Sequence, residues 1–99
     1  MILITGNILA KPDTYDALLE VSLDHVHRSR SEPGCIAHNV HVDCENPLKL
    51  VFVEKWQDQS AVAAHFRVKG SIDFVVTARK LAAQPPVVEL YDTTALPFG

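Results

Sequence analysis

Residues 49–66, KLVFVEKWQDQSAVAAHF, decide the fold. Residues 49–56 read as a strand, with Val51 and Val53 on one side and Leu50, Phe52, Glu54 and Trp56 on the other. Asp58 or Ser60 then opens a short helix over residues 57–67 that carries His65. A carboxylate, an indole and an imidazole in so apolar a strand-and-helix unit point to a small pocket.

On the N-terminal side, Asn46-Pro47 marks a turn, and residues 35–43 form a strand close enough to pair with 49–56 as an antiparallel hairpin. Glu32-Pro33-Gly34 ends a helix over residues 14–30 whose inward stripe is Tyr15, Leu18, Leu19, Ser22 and Val26. A first strand over residues 2–10 stops at Lys11-Pro12-Asp13, with Asp13 the expected helix N-cap. On the C-terminal side, residues 71–83 show a helical stripe of Ile72, Val75, Val76 and Ala82 or Ala83. Gln84-Pro85-Pro86 ends it, and residues 87–91 form the last strand.

The order is strand, helix, strand, strand, helices, strand, the split arrangement of a ferredoxin-like α+β domain with a four-stranded antiparallel sheet. Both sheet faces are apolar: Ile2, Ile4 and Ile8 oppose Leu3 and Leu9, just as Val51 and Val53 oppose Leu50, Phe52 and Trp56. The helices suffice for one face only. A homodimer with its sheets packed face to face, a dimeric α+β barrel, is therefore expected.

Composition agrees with one domain. The chain has 99 residues, 47% hydrophobic and 21% charged, with a net charge of −3, and a chain of this size buries roughly 60–70% of its unfolded surface. Its cations are interspersed with acids, so no nucleic-acid footprint arises. Arg28, Arg30, Arg67, Arg79 and Lys80 are expected on a solvated surface. No apolar run approaches the roughly 18 residues of a membrane span, and the opening MILITGNILA reads as a strand rather than a leader. A cytoplasmic protein without a membrane partner is expected. Cys35 and Cys44 bracket one strand and stand nearly 30 Å apart, at about 3.3 Å per residue, too far for a disulfide within one subunit.

Several short motifs, in order along nearly the whole chain, carry a resemblance. Glu32-Pro33-Gly34-Cys35-Ile36, Val53-Glu54-Lys55-Trp56, Ala63-Ala64-His65-Phe66 and Pro85-Pro86 resemble the antibiotic biosynthesis monooxygenase (ABM) family of small dimeric α+β barrels. The resemblance implies a quinol-monooxygenase-like enzyme that oxidises a small electron-rich aromatic, a quinol or an anthrone, with dioxygen and no cofactor. It places the pocket between helices and sheet. Where family members frequently carry Ser-Pro-His after the short helix, this chain has Val68-Lys69-Gly70. The polyketide-oxidising branch is matched at Trp56, while its Asn, Tyr and Arg fall on Phe52, Val62 and Val76. The haem-degrading branch is matched at Asn7 alone, its Trp and His falling on His65 and Val75, so haem degradation is not expected.

The expected catalytic residues are His65, Glu54 and Asn7. If the Glu54 face of the third strand and the Asn7 face of the first both look toward the helices, Asn7, Glu54, Trp56 and His65 converge. His65 would then take a phenolic proton, Glu54 would hold the tautomer of His65, and Asn7 would donate to developing negative charge. Trp56 would stack on the substrate ring, with Phe52, His38, Phe66 and Phe74 completing the binding wall. No metal is expected. His38 faces away from His41, and His25 lies about 200° around the helix from His27, so neither sequence pair converges on an ion. His41 points instead toward the partner subunit. The same features also suit a small-molecule binding dimer without catalysis, or an isomerase or handler of a small carbonyl compound.

Overall fold

The computed structural model describes residues 1–99. It contains β1 (Ile2–Leu9), α1 (Tyr15–Ser29), β2 (Cys35–Asp43), β3 (Asn46–Trp56), α2 (Gln59–Arg67), α3 (Lys69–Leu81) and β4 (Val87–Asp92). The sheet has the order β2-β3-β1-β4, antiparallel throughout. This is the expected ferredoxin-like arrangement. No helix is long and apolar enough to cross a membrane.

The register between the central strands selects the inner face. Ile2, Ile4, Gly6 and Ile8 pair with Trp56, Glu54, Phe52 and Leu50, and directly paired residues share one side of the sheet. All eight are buried, whereas Leu3, Thr5, Asn7, Leu9, Val51 and Val53 are half-buried on the other side. Ile8, Ala10, Leu50 and Phe52 pack with Leu18 and Val26 of α1 and Ala78 of α3. Ile2, Ile4 and Trp56 pack with Val62 of α2. All three helices thus cover the same face.

Local departures from the expected boundaries have identifiable causes. Asp43 pairs with Asn46, so the hairpin turn is Cys44-Glu45 and β3 begins at Asn46 rather than after Pro47. The side chains of Asp43 and Asn46 accept from the amides of Glu45 (2.8 Å) and Leu48 (3.1 Å), which closes this tight turn. Asp13 does not cap α1. Thr14 holds that position, and its hydroxyl donates to Leu81 O (2.7 Å), tying the start of α1 to the end of α3. Asp58 caps α2 as expected, accepting from Ala61 N at 2.9 Å.

α3 presents Ser71, Phe74, Val75 and Ala78 inward and leaves Ile72 and Val76 each 50% exposed, one residue out of phase with the expected stripe. Two contacts with α1 set this phase. Phe74 stacks on His25 (ring centroids 4.1 Å apart, interplanar angle 8°), and Ser71 accepts from Arg28.

Gly34 turns the chain from α1 into β2 with φ of +84°, and a Cβ there would lie 2.5 Å from Ala61 Cβ. Gly34→Ala is therefore expected to lower stability by more than the about 1–2 kcal/mol of left-handed backbone strain alone, because α2 must also shift. Urea unfolding checks this; a midpoint equal to wild type would show that α2 yields freely.

Candidate active site

Three histidines from three elements meet beneath the helices. His25 falls on the inward ridge of α1 with Ser22, Val26 and Ser29, at helical spacing. His38 alternates inward from β2, and His65 faces inward from α2. Their exposures are 5%, 0% and 2%, and their ring centroids lie 5.1–5.5 Å apart. Burial, followed by the fields of His38, His65 and Arg28, lowers the pKa of His25 to about 3. Its ring is neutral at physiological pH. Arg28 Nη2 lies 3.0 Å from His25 Nδ1, and a guanidinium only donates, so the His25 proton sits on Nε2. Arg28 reaches this position across Gly70, where a Cβ would lie 2.7 Å from the guanidinium. It is not the freely solvated surface cation that its sequence context suggests.

Two carboxylates hold the outer sides of the other rings. Glu54 Oε1 accepts from Trp56 Nε1 (2.9 Å) and lies 3.1 Å from His38 Nε2. Glu32 Oε1 lies 2.9 Å from His65 Nδ1, so that nitrogen is the donor and Nε2 keeps its lone pair. The expected pairing of Glu54 with His65 is thereby corrected. Glu54 is committed to the indole and to His38, and the carboxylate that fixes the His65 tautomer comes from the Glu32-Pro33-Gly34 turn. Cys35 stands close by; burial, then Glu54 and Glu32, pushes its thiol pKa up, which disfavours a nucleophilic thiolate. Both cysteines are free.

A cavity of about 130 Å³ lies between α2, α3 and the sheet, walled by His25, Phe52, Glu54, His65, Phe66 and Phe74 among others. Six of the eight expected site residues line this one cavity: His65, Glu54, Phe52, Phe66, Phe74 and, at its edge, Asn7. Trp56 does not line it. The indole is 0% exposed, in a packed cluster with Ile2, Ile4 and Val62, and serves as the donor to Glu54. His38 sits behind the wall as part of the polar cluster. Asn7 borders the cavity along β1, yet it pairs with Val51 on the side of the pleat opposite Glu54, so its side chain does not join Glu54 and His65. Alternation holds on each strand, but the Asn7 face of β1 and the Glu54 face of β3 lie on opposite sides of the sheet. Sequence reasoning missed His25, Arg28, Glu32 and Ser71. Only His25 carried a signal, its place on the Leu18-Ser22-Val26 ridge.

The sequence model described as antibiotic biosynthesis monooxygenase matches residues 1–75. The chain belongs to the ABM family. An uncharacterized protein of Synechocystis is 32% identical over 91% of this chain, which spans 61% of that relative's length. A Bacillus subtilis protein, YcnE, named provisionally as a monooxygenase, is 26% identical over 86% of this chain and 90% of its own. A crystal structure of an antibiotic biosynthesis monooxygenase superposes with a TM-score of 0.88 at 27% identity, covering 96% of this chain and 100% of that one.

Proposed function

We propose that the protein is a cofactor-independent monooxygenase that oxidises a single-ring quinol with dioxygen. One observation carries this reading: His65 stands in the cavity wall with Nδ1 fixed by Glu32, leaving Nε2 as a base beside an aromatic chamber. The chamber size favours one ring, since an apolar cavity of about 150 Å³ accepts benzene and this one measures about 130 Å³. A tricyclic anthrone is too large without rearrangement. Phe52, Phe66 and Phe74 supply aromatic contact for the ring, the part expected of Trp56. Glu54 accepts from the second hydroxyl.

The reaction balances with no external reductant. His65 Nε2 takes the phenolic proton, and the phenolate passes one electron to dioxygen, giving a phenoxyl radical and superoxide. A bond forms between superoxide and a ring carbon adjacent to an oxygen-bearing one. The resulting peroxide anion passes its C–H proton to the distal oxygen as the O–O bond breaks and a ring carbonyl forms, and the departing hydroxide takes the proton held by His65. Quinol and O₂ become hydroxyquinone and water, with all four electrons coming from the substrate.

An oxygen electrode tests the reading with methylhydroquinone, against an enzyme-free autoxidation control. The expected result is saturable uptake of one O₂ per quinol, a hydroxyquinone product, and no uptake with anthrone. A thermal shift with the quinol but no oxygen consumption would leave a binding protein instead.

The sheet face without helices is covered by a second copy of the chain in this reading. Leu3, Leu9, Val51 and Val53 lie there, beside the exposed Val87 and Tyr91 of β4. Light scattering is expected to give the mass of two chains, and Val53→Glu the mass of one. A wild-type monomer at micromolar concentration would remove the homodimer.

A further inference from the structure

The histidine cluster has features that proton abstraction from a quinol does not require. We propose that His25, His38 and His65 form a site for a first-row transition-metal dication, with Glu54 and Glu32 orienting two of the three rings. The chemistry of three imidazoles selects zinc or copper(II) over magnesium or calcium.

Three observations on the cluster carry the assignment. The three histidines each offer a ring nitrogen, and these nitrogens lie within 4.8 Å of one another. Tetrahedral ligation at 2.0–2.1 Å needs separations of about 3.4 Å, so modest rotation of the rings closes the site. His38 is 0% exposed, and neither of its nitrogens is satisfied: Nε2 lies 3.1 Å from Glu54 Oε1 without hydrogen-bond alignment, and Nδ1 has no partner. A buried imidazole in that condition calls for an ion or a water. Glu32 Oε1 holds His65 Nδ1 at 2.9 Å and Glu54 Oε1 stands 3.1 Å from His38 Nε2, so the same ring rotation that closes the site can give both imidazoles the carboxylate partner that orients metal-binding rings and raises their basicity.

The cavity adjoins His25 and His65, which leaves a fourth coordination position facing a small ligand or water. Arg28 works against the ion. Its Nη2 is 3.0 Å from His25 Nδ1 and donates to Ser71 Oγ at 2.9 Å, so an ion on His25 must meet or displace a guanidinium. Removing this charge should tighten binding. An ion on His65 Nε2 blocks the proton transfer of the oxygenase reading, so quinol turnover belongs to the metal-free chain, and metal binding itself does not rest on that reading.

The test uses chelator-stripped protein titrated with Zn²⁺ by equilibrium dialysis and with Cu²⁺ by fluorescence, without quinol. Trp56 is the only tryptophan, and its ring centroid is 4.6 Å from that of His65, so bound Cu²⁺ should quench its emission. One ion per chain is expected at submicromolar affinity. Glu54→Gln should weaken it about 10–100-fold, His38→Asn at least as much, and Arg28→Gln should strengthen it. His25→Gln serves as the second ligand variant should His38→Asn fail to fold, as judged by circular dichroism. His27→Ala removes an exposed imidazole outside the cluster and should change nothing. Binding no tighter than micromolar, binding retained in folded ligand variants, or binding lost in His27→Ala overturns the proposal.

Discussion

Trp56→Ala is expected to remove about 3–5 kcal/mol of folding stability, a large share of the roughly 5–15 kcal/mol that holds a domain of this kind together. The indole is fully buried against Ile2, Ile4 and Val62, at the seam between α2 and the central strands. Alanine leaves a cavity there because backbone on both sides is fixed, by the β1–β3 ladder and by the capped start of α2. A second cost follows from Glu54, which loses the 2.9 Å indole donor while remaining 8% exposed. Trp56→Phe helps separate the two terms: it keeps much of the packing while removing the N–H donor, so it should cost about 1–3 kcal/mol. Urea unfolding followed by circular dichroism measures both, since the fluorophore is lost. Equal midpoints for the two variants would show that packing contributes little and that the hydrogen bond to Glu54 dominates.

His65→Ala is expected to lower kcat/KM for the quinol by about 10²–10⁴-fold, the range for loss of a positioned general base. The variant also strips Glu32 of its 2.9 Å partner, so unfolding must be measured beside turnover. Added imidazole should restore part of the rate in a protein that folds, because the cavity wall then has room for a free base. His65→Gln, of similar reach but without basicity, should be as slow as alanine. Glu32→Gln gives the complementary result: its amide oxygen still accepts from Nδ1 and keeps the tautomer, so the loss should be smaller than for either His65 variant. Unchanged turnover in folded His65→Ala would sink the assignment of the base.

Much of the cavity wall was legible because it follows from periodicity. Phe52 and Glu54 are two residues apart on a strand, so they share a side wherever that strand is placed, and His65 falls on the inward turn of a helix whose start is marked by Asp58. Trp56 shows the limit of that reasoning. Its side of the strand is fixed by alternation, but lying over the cavity or in solid packing depends on Val62 and Ile2, which come from other elements. Asn7 fails for a related reason. Alternation groups it with Leu3 and Leu9, yet the side that group takes depends on pairing register, and Asn7↔Val51 puts it on the helix-free side.

The amino-acid sequence alone determined the element order, the two apolar faces of the sheet and the aromatic, imidazole-bearing character of the inner one, because side-chain alternation and helical pitch are local properties of backbone geometry. Only the tertiary structure decided which acid serves which imidazole. Glu54 turns to Trp56 two residues away and to His38 on the neighbouring strand, while Glu32 crosses 33 positions to reach His65. Those choices rest on the packing of α1 and α2 over the sheet, where a few ångströms select the partner, and no periodic pattern encodes distances between elements.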